Sequence, residues 1–135
     1  MSAKTWQQTM LGITFRYVDG RITVFRSALN SIGRPEFYHF LYNPTKQMFA
    51  IQACGMDAEG ANRVPKKNQD DRYEIKSKNL VRLIYQSCGW DRTRSYRLPG
   101  VEYPQQRLVN YDLYRAIPIF EGKVDKENES TQEQA

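Results

Sequence analysis

One histidine, His39, and two cysteines, Cys54 and Cys88, are the chain's whole stock of imidazole and thiol groups. A single imidazole excludes a multi-histidine metal site, and two widely separated thiols form no CxxC pair. A Cys–His dyad would need one thiol beside His39, and neither cysteine stands in a recognisable nucleophile turn. No P-loop, GxGxxG or GxSxG sequence occurs. Asp70-Asp71 is the conspicuous carboxylate pair, and it falls in a polar stretch where solvation accounts for it.

The chemistry that remains belongs to cations and aromatic rings. Arg16 and Arg21 flank Asp19-Gly20, with Arg26 and Arg34 close behind. A denser basic region holds Arg63, Lys66, Lys67, Arg72, Lys76, Lys78, Arg82, Arg92, Arg94 and Arg97 against Asp70, Asp71, Glu74 and Asp91. Guanidinium groups suit phosphates and guanine edges, because their planar forks donate two hydrogen bonds at once. Trp90, Arg92, Arg94 and Tyr96 interleave rings with cations, a composition that fits base stacking combined with phosphate contact. Each feature has an ordinary alternative. Arginines beside a hairpin turn also serve as solvated charges that discourage edge-to-edge aggregation. A tryptophan just after a helix-stopping glycine also serves as a core anchor. Nine tyrosines add potential contact area with little rotamer entropy to lose. This stock implies recognition without catalysis: no enzyme, no metal and no cofactor.

Elements must position these groups. Ile13–Val18 and Arg21–Phe25 are rich in β-branched and aromatic residues, and Asp19-Gly20 between them predicts a hairpin. Ser27 is placed to cap a short helix over 28–32, with Gly33 as its stop. A second hairpin is expected from Glu36–Tyr42 and Gln47–Ala53 around Asn43-Pro44-Thr45-Lys46. On the first of its strands Tyr38, Phe40 and Tyr42 share one face and Phe37, His39 and Leu41 the other. That strand is therefore central, or one face meets a partner subunit. Residues 55–71 read as a long connection. Tyr73–Ile75 follows as a short strand, then a helix capped by Ser77, carrying Leu80, Val81, Leu83, Ile84 and Cys88 at helical spacing and ended by Gly89. Lys78 and Arg82 are neighbours on that helix, a like-charge pair costing a few tenths of a kcal/mol that an anionic partner would offset. Ser95–Leu98 and Arg107–Tyr111 are expected to pair around a turn.

The order strand, helix, strand, turn, strand thus occurs twice. The expected fold is α+β, two βαββ-like halves (12–54 and 72–115) that form one small sheet or barrel core with short helices. One domain would span 1–120. The remainder, 121–135, is nearly devoid of apolar residues and is expected to be a disordered acidic tail. Charge divides the same way: up to Phe120 there are 18 Lys and Arg against 10 Asp and Glu, whereas from Glu121 two lysines face five carboxylates. A body with an excess of eight positive charges favours polyanionic or acidic partners. No apolar run is long enough to span a membrane, and few cysteines suit a reduced, cytoplasmic setting.

Gly20-Arg21-Ile22-Thr23-Val24, followed by a short helix closed at Ile32-Gly33 and paired strands over 37–51, resembles the AbrB/MazE-type swapped-hairpin DNA-binding family. Tandem proteins of the MraZ type carry two such copies, and the second half looks like a divergent one. The motif-like part is 19–33. Phe25 stands where the family usually has proline, and Ala28-Leu29 replaces its usual Leu-Arg pair, so Arg26 or Arg34 would have to supply the lost phosphate contact. The resemblance implies a homodimeric, DNA-binding regulator whose contacts come from Arg16, Arg21 and Arg26. Two alternatives stand beside it. One is an inhibitor, of the anti-CRISPR-like kind that phages and mobile elements encode against host nucleic-acid-handling or defence proteins. The other is a sponge for a nucleotide signal.

Overall fold

The computed structural model of the protein describes residues 10–64 and 72–119. Ten strands form two five-stranded antiparallel sheets, in the orders β10-β7-β1-β2-β6 and β5-β3-β4-β9-β8. The first sheet contains β1 (Ile13–Arg16), β2 (Arg21–Phe25), β6 (Arg72–Lys76), β7 (Ser95–Leu98) and β10 (Ile117–Ile119). The second contains β3 (Phe37–Asn43), β4 (Met48–Cys54), β5 (Asn62–Arg63), β8 (Val101–Tyr103) and β9 (Leu108–Asp112). Among the described residues two α-helices, α1 (Arg26–Ser31) and α2 (Lys78–Cys88), join the sheets, with short 3₁₀ turns at Pro104–Gln106 and Leu113–Arg115. The α and β elements of both halves therefore share one fold, as two open sheets and not a closed barrel.

Both predicted hairpins form. In β1–β2, Arg16 stands opposite Arg21, so the link is the four residues Tyr17–Gly20 and not Asp19-Gly20 alone. The strand stops early because Tyr17 turns away from the ladder to meet the Tyr85 ring, 5.1 Å between centroids. Gly20, at φ +64°, closes the turn, its N–H donating to the Tyr17 carbonyl. The β3–β4 pairing runs from Phe37 opposite Cys54 to Asn43 opposite Met48.

The expected pairing of Ser95–Leu98 with Arg107–Tyr111 does not occur. β7 pairs with β1 and β10 in the first sheet, while β9 pairs with β4 and β8 in the second. The reason is hydrophobic register: Phe15 opposite Tyr96 and Ile13 opposite Leu98 bury all four side chains on one face. The chain then crosses between sheets at Gly100, where a Cβ would come within 2.7 Å of the Leu11 carbonyl oxygen. Sheet two consequently carries the core order β3-β4-β9-β8, with each half supplying one hairpin.

The inner faces enclose one cluster drawn from both halves. It includes Ile13, Phe15, Ile22 and Val24 from the first sheet and Tyr38, Phe49, Ile51, Val109 and Tyr111 from the second. Phe15 meets Phe49 edge to face across the sheets, with centroids 5.2 Å apart. The helices join the same cluster through Ala28 and Leu29 of α1 and through Val81, Ile84 and Tyr85 of α2.

Capping differs from expectation. Helix α1 begins at Arg26 after Phe25, with no side-chain cap, and Ser27 instead donates its hydroxyl to the Met10 carbonyl. Ser77 does precede α2, though its hydroxyl makes no cap bond, and Gly89 ends the helix at φ +69°. Leu83, expected on the apolar face, is 50% exposed, and Tyr85 fills the core position instead. The 121–135 tail lies outside the described residues. No described helix is long and apolar enough to cross a membrane.

Candidate nucleic-acid interface

Alternation along the strands sends Arg97 on β7, Thr14 and Arg16 on β1, Arg21, Thr23 and Phe25 on β2, and Arg72, Glu74 and Lys76 on β6 to the outer face of the first sheet. Neighbouring strands stack these side chains into rows. One row sets Arg16, Arg21 and Lys76 abreast on three adjacent strands, and the next sets Arg97, Thr14, Thr23 and Glu74 abreast. These side chains are half-buried or exposed, while the buried residues of both helices lie with the inner face. Five cations thus share one surface.

Carboxylates temper part of it. Asp19, in the β1–β2 turn, lies 3.9 Å from Arg16 Nε and 3.7 Å from Arg21 Nε. Glu74 Oε2 lies 3.5 Å from Arg21 Nη1. Arg21 is therefore held between two acids. Among the described residues this face carries five cations, with Asp19 and Glu74 as its carboxylates. Arg97 places its guanidinium 5.2 Å from the Phe25 ring centroid, a cation–π contact on the same face.

At one end of this sheet, the turn carries Tyr17 towards α2. Gly20 sits so close to the helix start that a Cβ there would lie 2.6 Å from Lys78 Cα, and the Ser77 N–H donates to the Gly20 carbonyl at 2.8 Å. One turn further along, Arg82 places its guanidinium 5.7 Å from the Tyr17 ring centroid, and Arg92 reaches the same ring at 5.6 Å. A cleft of about 410 Å³ opens here, lined by Tyr17, Tyr85, Gln86, Gly89, Trp90 and Arg92.

The ten residues singled out in the sequence therefore divide among four places. Arg16, Arg21 and Arg97 lie on the basic sheet face. Arg92 lines the Tyr17 cleft and Arg82 reaches its ring, while Lys78 and Arg94 lie in the same region, Lys78 against Gly20 and Arg94 paired with Asp91 at 3.6 Å. Arg26 and Arg34 line a separate hollow of about 290 Å³ beside α1, where Arg26 lies 5.1 Å from the Tyr73 ring centroid. Tyr96 is not a surface ring. It is 9% exposed, stacked on Trp90 at 4.4 Å, and its hydroxyl accepts the Asp91 N–H. Its register opposite Phe15 turns it inward, so the base-stacking role expected of it has no surface to act from.

Sequence reasoning missed Tyr17 as the platform for two arginines, and Arg107. The latter, at φ +53°, sends its Nε back to the Ile32 carbonyl at 3.1 Å and so fastens the end of α1 to the β8–β9 hairpin. Nothing local in the sequence announces either role.

The nucleophile candidates are chemically quiet. Cys88 donates to Gln47 Oε1 at 2.9 Å, and burial pushes its thiol up to about 11. Desolvation also raises Cys54. His39 Nε2 lies 3.2 Å from Gln52 Oε1, across the β3–β4 ladder. Among the described residues no group of three or more His, Cys, Asp or Glu is placed to hold a metal ion. No family model, curated protein or solved structure matches the chain.

Proposed function

We propose that this chain is a non-enzymatic nucleic-acid-binding protein, a DNA-binding regulator in kind, that lays the outer face of its first sheet against the phosphate backbone. The observation that carries the reading is the set Arg16, Arg21, Arg72, Lys76 and Arg97 on one open sheet face, which carries Asp19 and Glu74 as its carboxylates among the described residues. Like charges set side by side on neighbouring strands repel, by a few tenths of a kcal/mol to about 1 kcal/mol per pair, and a polyanion relieves that cost. The likeness to swapped-hairpin proteins, motif-like over 19–33, adds analogy through Arg16, Arg21 and Arg26, although Arg26 lies off this face in the hollow beside α1. Phosphate contacts of this kind give affinity without sequence choice, and base contacts would have to supply specificity. Charge reversal at Arg72 and Arg97, both on the outer face, tests the reading. The folded double variant should lose at least tenfold in affinity for duplex DNA in fluorescence anisotropy, and unchanged affinity would remove the face from the account.

A second reading, a protein-binding inhibitor or a homodimer, is favoured by the outer face of the second sheet. Phe37, Leu41, Met48, Val101, Tyr103 and Leu108 point there by alternation, with His39 and few charges among them. Light scattering distinguishes a dimer from a monomer.

A further inference from the structure

We propose that the Tyr17 cleft is a second, separate binding site, for a single unpaired nucleotide whose phosphate is held by Arg82 and Arg92. The inference stands on residues that the sheet-face reading does not use. Arg82 and Arg92 both lie against one tyrosine ring, at 5.7 and 5.6 Å from its centroid. Among the described residues neither guanidinium has a carboxylate partner. The neighbouring acid, Asp91, is already engaged: it pairs with Arg94 and accepts from the Thr93 N–H and hydroxyl, bonds that hold its carboxyl below the usual range. Two uncompensated cations on one ring call for an anion.

The cleft beside them has the right shape and lining for the rest of a nucleotide. No Asp or Glu lines it, and its volume of about 410 Å³ lies within the range typical of small-molecule sites. Trp90 is half-buried, packed against Tyr96 on one side, edge-on to Tyr85 at 5.2 Å, and borders the cleft with its remaining surface. A planar base stacks on such a ring, or on an arginine plane, whatever its identity. Gln86 offers both a donor and an acceptor to a base edge. The walls are fixed in advance: the Tyr85 hydroxyl lies 2.6 Å from the Arg94 carbonyl and 3.1 Å from the Phe15 carbonyl, so the aromatic wall is anchored to the first sheet. A preorganised wall loses little entropy on binding. The shared ligand chemistry, a base joined to a phosphate, has two sources: a free mononucleotide, or the 5′ end of a strand.

Tryptophan fluorescence reads this site directly. In a Trp6→Phe background Trp90 is the sole tryptophan. The titrants are the four nucleoside 5′-monophosphates, the matching nucleosides, and a short single-stranded oligonucleotide with a 5′-phosphate or a 5′-hydroxyl. Quenching by phosphorylated ligands, weakened about tenfold in the Arg82→Ala/Arg92→Ala double variant, is expected. Arg92→Lys, which keeps charge but loses the planar fork, should fall between the two. Quenching by the mononucleotides identifies a free nucleotide as the ligand, and quenching by the 5′-phosphorylated strand alone identifies a strand end. Two results overturn the proposal: no quenching by either at millimolar concentration, or undiminished quenching in a double variant whose circular dichroism matches the parent. Arg72→Gln/Arg97→Gln should leave the quenching intact, so that failure of the sheet face and failure of the cleft are told apart.

Discussion

Replacing Gly20 with alanine should destabilise the protein more than any other single methyl addition in the first hairpin. The new Cβ would lie 2.6 Å from both Cα and Cγ of Lys78 and 2.9 Å from its backbone nitrogen. Lys78 Cγ can swing aside, but Cα and N belong to the first turn of α2 and move only with the helix. The backbone at φ +64° adds about 1–2 kcal/mol for any residue bearing a Cβ. Overpacking against a backbone atom adds about 1–3 kcal/mol more. A loss of about 3 kcal/mol is the central expectation, or about 10 °C in Tm for a chain of this size. Urea denaturation followed by circular dichroism measures it, with the m-value checking that two-state behaviour survives. A loss below about 1 kcal/mol would refute the reasoning, since it would mean that α2 is not seated on the turn. The same substitution displaces α2 and with it Arg82, so a correctly folded variant should also quench less well with nucleotides.

Further expectations concern the core, the thiols and the acid on the basic face. Tyr111→Phe removes the hydroxyl that donates to the Leu11 carbonyl at 2.7 Å inside the core, and leaving that carbonyl unpaired should cost about 1–3 kcal/mol in urea denaturation. Cys88, pushed up to about 11 from 9.0 by burial, should be alkylated at pH 8 about 100-fold more slowly in the folded protein than in urea, as followed by peptide mass spectrometry. Because its folded value is raised, the group's contribution is fully present below pH 9 and is lost as the pH climbs towards 11, so Cys88→Ala should flatten the alkaline limb of the stability profile. Glu74→Gln frees Arg21 from one of its two acids and should tighten duplex DNA binding several-fold in anisotropy, whereas weaker binding would show that Arg21 needs Glu74 to be positioned.

Local chemistry was legible in the sequence and long-range pairing was not. Gly20, Gly33 and Gly89 mark turns and helix ends because each adopts a positive φ that other residues resist. The two hairpins follow from turn residues between β-prone runs. By contrast, the pairing of β7 with β1 joins segments some eighty positions apart, and no periodicity in either strand names its partner. That pairing decides which site residues face solvent. Arg97 and Tyr96 are adjacent in sequence, yet one lies on the basic face and the other in the core. Tyr17 looked like an ordinary residue of the Ile13–Val18 strand, and only the position of α2 makes it the ring that gathers Arg82 and Arg92.

The central claim is that the outer face of the first sheet contacts phosphates, and the salt dependence of binding measures phosphate contacts directly. Duplex DNA would be titrated with the parent protein and with the Arg72→Gln/Lys76→Gln/Arg97→Gln variant across a series of salt concentrations. Each lost contact lowers the slope of log K against log salt by about 0.9, so a slope shallower by about 2.7 is expected. A parent protein that fails to bind at low salt, or a folded triple variant with the parent's slope, would contradict the account.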